Sequence, residues 1–188
     1  MSVCGREKCA WKRKPYPPGV HGKSFRRGLS EFGQQLQVKQ RLKFLYGLRE
    51  RQFKNYVSKA VFQKRAPTGD ALVTSLELRL DNVVYRLGFL PTRASARQAV
   101  THGHIAVNGK RVTIPSYKLK IGDLVAVPLS ALNKKLFTNL AITIKKYAQP
   151  EWLELDKSNF SGKITALPPI QDLVGSYNIS SIVEYYSR

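Results

Sequence analysis

The segment TRASARQAVTHGHIAVNGKRV, residues 92–112, carries side chains suited to gripping a polyanion. Arg93 and Arg97 stand four residues apart, so on a helix they share one face. Like charges in that relation repel, at a cost on the order of a few tenths of a kcal/mol in an isolated helix. A phosphate backbone opposite them would turn that repulsion into attraction. Asn108-Gly109 is a strong short hairpin signal and leaves Lys110 and Arg111 at the tip. His102 and His104 straddle the helix-ending Gly103 without further ligands nearby, which favours RNA contact or capping over a metal.

The elements that must position these residues are legible around them. Thr92 is a cap for a short helix whose Ala96 and Val100 face inward, with Ala99 beside them. His104–Val107 and Arg111–Ile114 alternate as hairpin strands, with Ile105, Val107, Val112 and Ile114 on one face. Gly122-Asp123 turns the chain into a strand at Leu124–Val127. Upstream, Asp70 caps the longest predicted helix, an apolar stripe from Leu72 through Leu76, Leu80 and Val84 to Leu87, with Gly88 as its left-handed end. Tyr85 and Arg86 carry no chemistry in this reading.

Two further helices come earlier. Ser30 caps one with Phe32, Leu36, Leu42 and Leu45 as its apolar positions. After Gly47 a second follows the stripe Phe53, Tyr56, Val57, Ala60, Val61, and of its other faces' charges only Glu50 is acidic. Residues 1–29 read as an extended arm in which three prolines and several glycines block helix and ladder bonding. Tyr16, between prolines, presents a stiff ring for stacking. Late in the chain Leu132, Leu136, Leu140 and Ile144 predict a helix, Trp152–Leu155 and Lys163–Leu167 strands, and Asn178 caps a closing helix through Ile179, Ile182, Val183 and Tyr186.

Charge narrows the function class. The 188 residues carry 32 Lys and Arg against 12 Asp and Glu, a net +20, yet 43% are hydrophobic, enough for real cores. The excess is uneven: residues 1–66 hold 17 basic and 3 acidic groups, residues 67–130 hold 8 and 4, and the rest 7 and 5. Nucleic acid is the partner this predicts. No apolar run of transmembrane length and no secretory core in MSVCGREKC point to a membrane or to export. No nucleophile elbow, glycine-rich phosphate loop or carboxylate pair appears, so no enzyme is predicted and no small-molecule substrate. Cys4 and Cys9 are not a disulfide framework; they are either reduced thiols or half of a zinc site, with His21 a third ligand and no fourth evident.

RLDNVVYRLGF, TRASARQAVTHGHIAVNGKRVTIPSY and KIGD together resemble the small RNA-binding module named after small-subunit ribosomal protein four. Some pseudouridine synthases, tyrosyl-tRNA synthetases and a heat-shock RNA-binding protein share that module. The flanks KRKPYPPGVHG, YGLRERQF and IVEYYSR resemble the ribosomal family itself, in its bacterial or organellar form, from Cys4 to Arg188. The resemblance implies an α+β fold: a helical domain with an inserted small α+β RNA-binding module, plus the basic arm. The expected divisions are the arm at 1–29, a helical domain at 30–75 completed by 172–188, and an RNA-binding domain at 76–171 with its core at 79–127.

The same resemblance implies a structural protein of the small ribosomal subunit, cytoplasmic or organellar. It would bind 16S rRNA early, nucleate assembly of the body of the 30S subunit, border proteins five and three, and contribute to translational accuracy. Zinc-binding members carry a second cysteine pair upstream of the position of Cys4 and Cys9, so no cofactor is expected unless further ligands exist. The expected rRNA contacts in the arm are Lys12, Arg13, Tyr16, His21, Lys23, Arg26 and Arg27. Lys39, Arg49 and Lys54 extend them along the first helices. Arg93, Arg97, His102, Asn108, Lys110 and Arg111 supply the opposite side.

Overall fold

A computed structural model of the chain describes residues 9–24, 28–63, 66–169 and 178–187. The arm is not extended throughout its described part. It winds one helical turn, α1 (Ala10–Arg13), and one 3-10 turn at Val20–Lys23, with the prolines confined to the stretch between them. Gly22 is buried there, and a Cβ on it would lie 2.1 Å from the Pro17 carbonyl oxygen, so the second turn folds back on the proline stretch.

Ser30 caps α2 (Glu31–Leu45): its hydroxyl accepts from the Gly33 amide at 3.2 Å. The buried face of α2 is not the apolar stripe expected. Gln35, Lys39 and Leu42 are buried, while Phe32 is largely exposed and stacks on Tyr185 at 5.4 Å. Helix α3 (Glu50–Phe62) follows its stripe better, burying Phe53, Val57 and Ala60, although Val61 is exposed.

The long helix expected from Asp70 is two helices, α4 (Thr68–Glu77) and α5 (Leu80–Arg86). The break has a tertiary cause. Arg79 is extended and bridges Lys118, the Leu80 amide donates to the Tyr117 carbonyl, and the Leu119 amide donates to Leu78. Backbone pairing to residues 115–119 thus replaces one turn of helical bonds. Pro67, not Asp70, is the cap residue of α4, and Asp70 lies in its first turn.

Helix α6 (Arg93–Thr101) leads through Gly103, at φ +69°, into the hairpin β1 (Ala106–Val107) and β2 (Lys110–Arg111). Asn108 and Gly109 turn it at φ +50° and +77°, the left-handed pair of a type I′ turn. Beyond β3 (Leu124–Ala126) the helix expected over Leu132–Ile144 is three short pieces: α7 (Leu129–Leu132), a 3-10 turn at Lys135–Phe137, and α8 (Leu140–Lys146). Strands β4 (Leu153–Asp156) and β5 (Ser161–Ile164) complete an antiparallel sheet in the order β2-β1-β3-β5-β4. Helix α9 (Ile179–Ser187) closes the described chain, with the Ser181 amide donating to the Asn178 side chain at 3.4 Å.

The fold is α+β, with two apolar clusters among the described residues. One gathers Leu42, Tyr46, Phe53, Val57, Leu72 and Leu76 with Ile179 and Ile182 from α9. The other runs from Leu78 to Ile164 and includes Val83, Leu87, Val100, Ile105, Leu119 and Val125. The polar side chains between Tyr46 and Arg97 lie where the two meet.

Candidate nucleic-acid interface

Thr92 and Ser95 form a reciprocal cap at the start of α6, the Ser95 amide donating to the Thr92 hydroxyl at 3.0 Å and the Thr92 amide to Ser95 at 3.2 Å. From this fixed start the two arginines turn toward the rest of the protein. Arg97 Nε donates to Asp81 at 2.7 Å, Nη2 to the Tyr46 carbonyl at 2.8 Å, and Nη1 to the Gly47 carbonyl. Arg93 Nε donates to Asn82 at 2.8 Å, and its guanidinium stacks over the Tyr85 and Tyr46 rings at 4.4 and 5.1 Å. Internal partners meet the charge repulsion read from the sequence: Asp81 for Arg97, and Asn82 and two aromatic rings for Arg93.

Behind them lies a buried carboxylate the sequence reading had not used. Glu77, with no solvent exposure, accepts from Tyr46 Oη at 2.5 Å, from Asn82 at 2.8 Å, and from Arg86 through Nε and Nη2 at 3.0 Å each. Burial pushes the Glu77 carboxyl up, but the hydrogen bonds and charge of Arg86, with Tyr46 and Asn82, outweigh it and hold the group below its ordinary value. The same burial, then the charge of Arg86, lowers the Arg93 pKa. Arg86 therefore does have a role, as the counter-charge of Glu77. Glu77 stands nine residues before Arg86, beyond helical reach, so spacing in the sequence did not signal the pair.

Lys39 is also turned inward. It is 4% exposed, donates to Glu50 at 2.8 Å and lies over the Tyr185 ring at 4.5 Å. Asn108 uses its side chain within the fold, donating to Asp123 and accepting from the Leu124 amide, both at 2.9 Å. Arg111 donates to the His102 carbonyl at 2.9 Å but remains exposed.

The remaining expected contacts are open to solvent. Lys12, Arg13, His21 and Lys23 in the arm, Arg49 and Lys54 at α3, and Lys110 at the hairpin tip are exposed, with no ion pair to another described residue. Tyr16 is half-buried, with Lys23 over its ring at 5.2 Å. Arg26, Arg27 and Cys4 lie outside the described residues.

At the base of the hairpin His102, His104, Arg111 and Lys134 come together. Burial first, then the charges of His102, Lys134 and Arg111, lower the His104 pKa. Lys134 was hidden from sequence reasoning by the expected continuous helix, which would have placed it elsewhere. Lys59 and Lys118 both line a cavity of about 410 Å³ together with Gln52, Asn55 and Tyr56. Lys118 reaches it only because its strand-like segment pairs with Arg79.

The zinc reading of Cys4 and Cys9 turns on Cys4, which lies outside the described residues. Among the described residues no three His, Cys, Asp or Glu side chains come together, at Cys9 or elsewhere. No described helix is long and apolar enough to cross a membrane.

Residues 2–77 match the family model described as the ribosomal protein S4/S9 N-terminal domain, and residues 78–125 match the S4 domain. The junction falls at the Glu77–Leu78 end of α4. The chain is 49% identical over 187 residues to the small ribosomal subunit protein uS4 of Dictyoglomus turgidum, covering 98% of this chain and 88% of that protein. It is 45% identical to the uS4 protein of Caldicellulosiruptor bescii, again over 98% and 88%. The uS4 protein of Akkermansia muciniphila is 46% identical over 95% of this chain and 88% of its own length.

Proposed function

The chain belongs to the uS4 family of small ribosomal subunit proteins, and from that premise we propose that it binds 16S rRNA directly through its arm, helix α3 and the hairpin end of its α+β module. As a member it is a structural protein of the small subunit rather than an enzyme. One observation carries the RNA reading: among the described residues, Lys12, Arg13, Lys23, Arg49, Lys54 and Lys110 are exposed and make no ion pair with another described residue, whereas nearby carboxylates are spent internally. Glu77 and Asp81 are buried against arginines, and Glu50 is held by Lys39 and Lys43. A surface arranged this way neutralises phosphates and recognises the shape of folded RNA.

The finer role is part of the same proposal and is supported by the family resemblance. The protein joins the 5′ domain of 16S rRNA early, nucleates the body of the subunit, adjoins small-subunit proteins five and three, and contributes to accuracy. Its place of work is the ribosome in the cytoplasm. The Cys4/Cys9 pair calls for no cofactor in this role.

Binding of the purified protein to a 16S 5′-domain RNA across a salt series tests the reading. Affinity is expected to fall steeply between 50 and 200 mM salt, by several orders of magnitude if about six or more phosphates are engaged. Lys110→Glu with Lys134→Glu should weaken binding and flatten the salt dependence. A flat wild-type response, or sedimentation free of the small subunit, would refute it.

A further inference from the structure

Exposed cations lie on both halves of the molecule: Arg49 and Lys54 on the helical half, Lys110 and Arg111 on the α+β module. They can address one RNA together only if the two halves keep one relative arrangement. The chain between them is a poor guarantee, because α4 and α5 are separated by only a short extended break at Arg79. Side chains supply what that break lacks.

Asp81 is 2% exposed and is shared by two guanidiniums, each of which also reaches across to the helical half. Arg79 bonds Asp81 at 3.0 and 2.8 Å and donates to Tyr56 Oη, on α3, at 2.7 Å. Arg97 bonds Asp81 and donates to the carbonyls of Tyr46 and Gly47, in the turn two residues before Arg49. A second layer, Arg93–Asn82–Glu77–Tyr46, lies alongside. Peptide carbonyls and a planar fork make this a geometric lock; an ammonium group at residue 97 would keep the charge but not span the three acceptors.

We propose that Arg97 is a positioning residue for RNA binding: it joins Asp81 to the 46–47 turn and so fixes the angle between the helical half and the α+β module. The inference rests on the RNA-binding reading above. It assigns Arg97 a role through other residues rather than on a phosphate. A lock of this kind raises apparent affinity by keeping the competent arrangement populated; if its loss leaves about a tenth of molecules competent, affinity drops about tenfold.

The test uses the full chain and a 16S 5′-domain RNA. Arg97→Lys, Arg97→Met and Asp81→Asn are compared with wild type by binding over a salt series. Spin labels at Gln37→Cys and Thr113→Cys, with Cys4 and Cys9 replaced by Ser, report the distance between the halves in the free protein. All three variants are expected to bind about tenfold more weakly, with the salt slope of wild type and a broadened distance distribution. Asp81→Asn is diagnostic, because it makes the protein more positive and by charge alone should tighten binding. The proposal is overturned if Arg97→Lys binds like wild type while Arg97→Met lowers the salt slope by about one. It is likewise overturned if Asp81→Asn, folded by circular dichroism, binds more tightly; should that variant not fold, the Arg97→Lys readouts decide. Failure of wild type to bind would overturn the RNA reading and this proposal together, whereas wild-type binding with unaltered variants overturns only this one.

Discussion

Single residues behave according to what surrounds them in space. Lys39 is exposed by every sequence criterion, yet it sits beneath Tyr185 and Tyr186 with Glu50 as its partner. Burial pushes the Glu50 carboxyl up, but hydrogen bonds from Lys39, Tyr186 and Lys43 outweigh it and bring the pKa down to about 2. Its folded value thus lies below the ordinary 4.5. The stabilisation is present above that ordinary value and is lost as the pH falls through about 2. Half-exposure of Glu50 means salt screens part of it. Glu50→Gln should therefore lower the thermal midpoint at pH 7 and shrink the further loss that wild type shows on acidification. Melting curves from pH 7 to 2 at low salt check this.

At the scale of elements, caps and turns were mostly legible because their signals are local, Asp70 being the exception, since Pro67 takes the cap position of α4. Ser30, Thr92, Gly103 and Asn108-Gly109 all act where sequence reasoning places them. The α4–α5 break and the fragmentation of the 129–146 region were not legible. In both, an apolar stripe of helical period continues through residues whose backbone bonds go elsewhere. Close approach between elements was equally invisible. Gly162, in β5, carries no side chain because Leu87 of the α5 end packs onto it; a Cβ there would lie 2.3 Å from the leucine. Leu87 has no solvent-exposed area into which it could move. Gly162→Ala should cost about 1–3 kcal/mol, read as a lower urea midpoint with little change in the slope of unfolding.

For the whole molecule, the dominant fact is a net charge of +20 held on two cores. The helical half takes part of its core from the far end of the chain, through Ile179 and Ile182. Each of these side chains contributes about 1.5–3 kcal/mol by its burial. Removing residues 178–188 should thus destabilise the protein by about 3 kcal/mol or more. The helical half should open at lower denaturant than the α+β module, splitting one unfolding transition into two. Amide exchange in α2 and α3, compared with that in β3 and β5, checks the order.

Family, fold class and RNA as partner could all be read from residue types in sequence order. Net charge, cap residues, the hairpin dipeptide and the ordered motifs need no third dimension. Which cations are free could not be read that way. Arg93 and Arg97 stand on one helical face in any drawing of the sequence, and their repulsion suggested an external anion. The tertiary structure instead sets Asp81, Asn82, Tyr46 and Gly47 against that face, from chain positions up to 51 residues away. Charge pairing depends on distance in space, and only the packing of the two halves determines that distance.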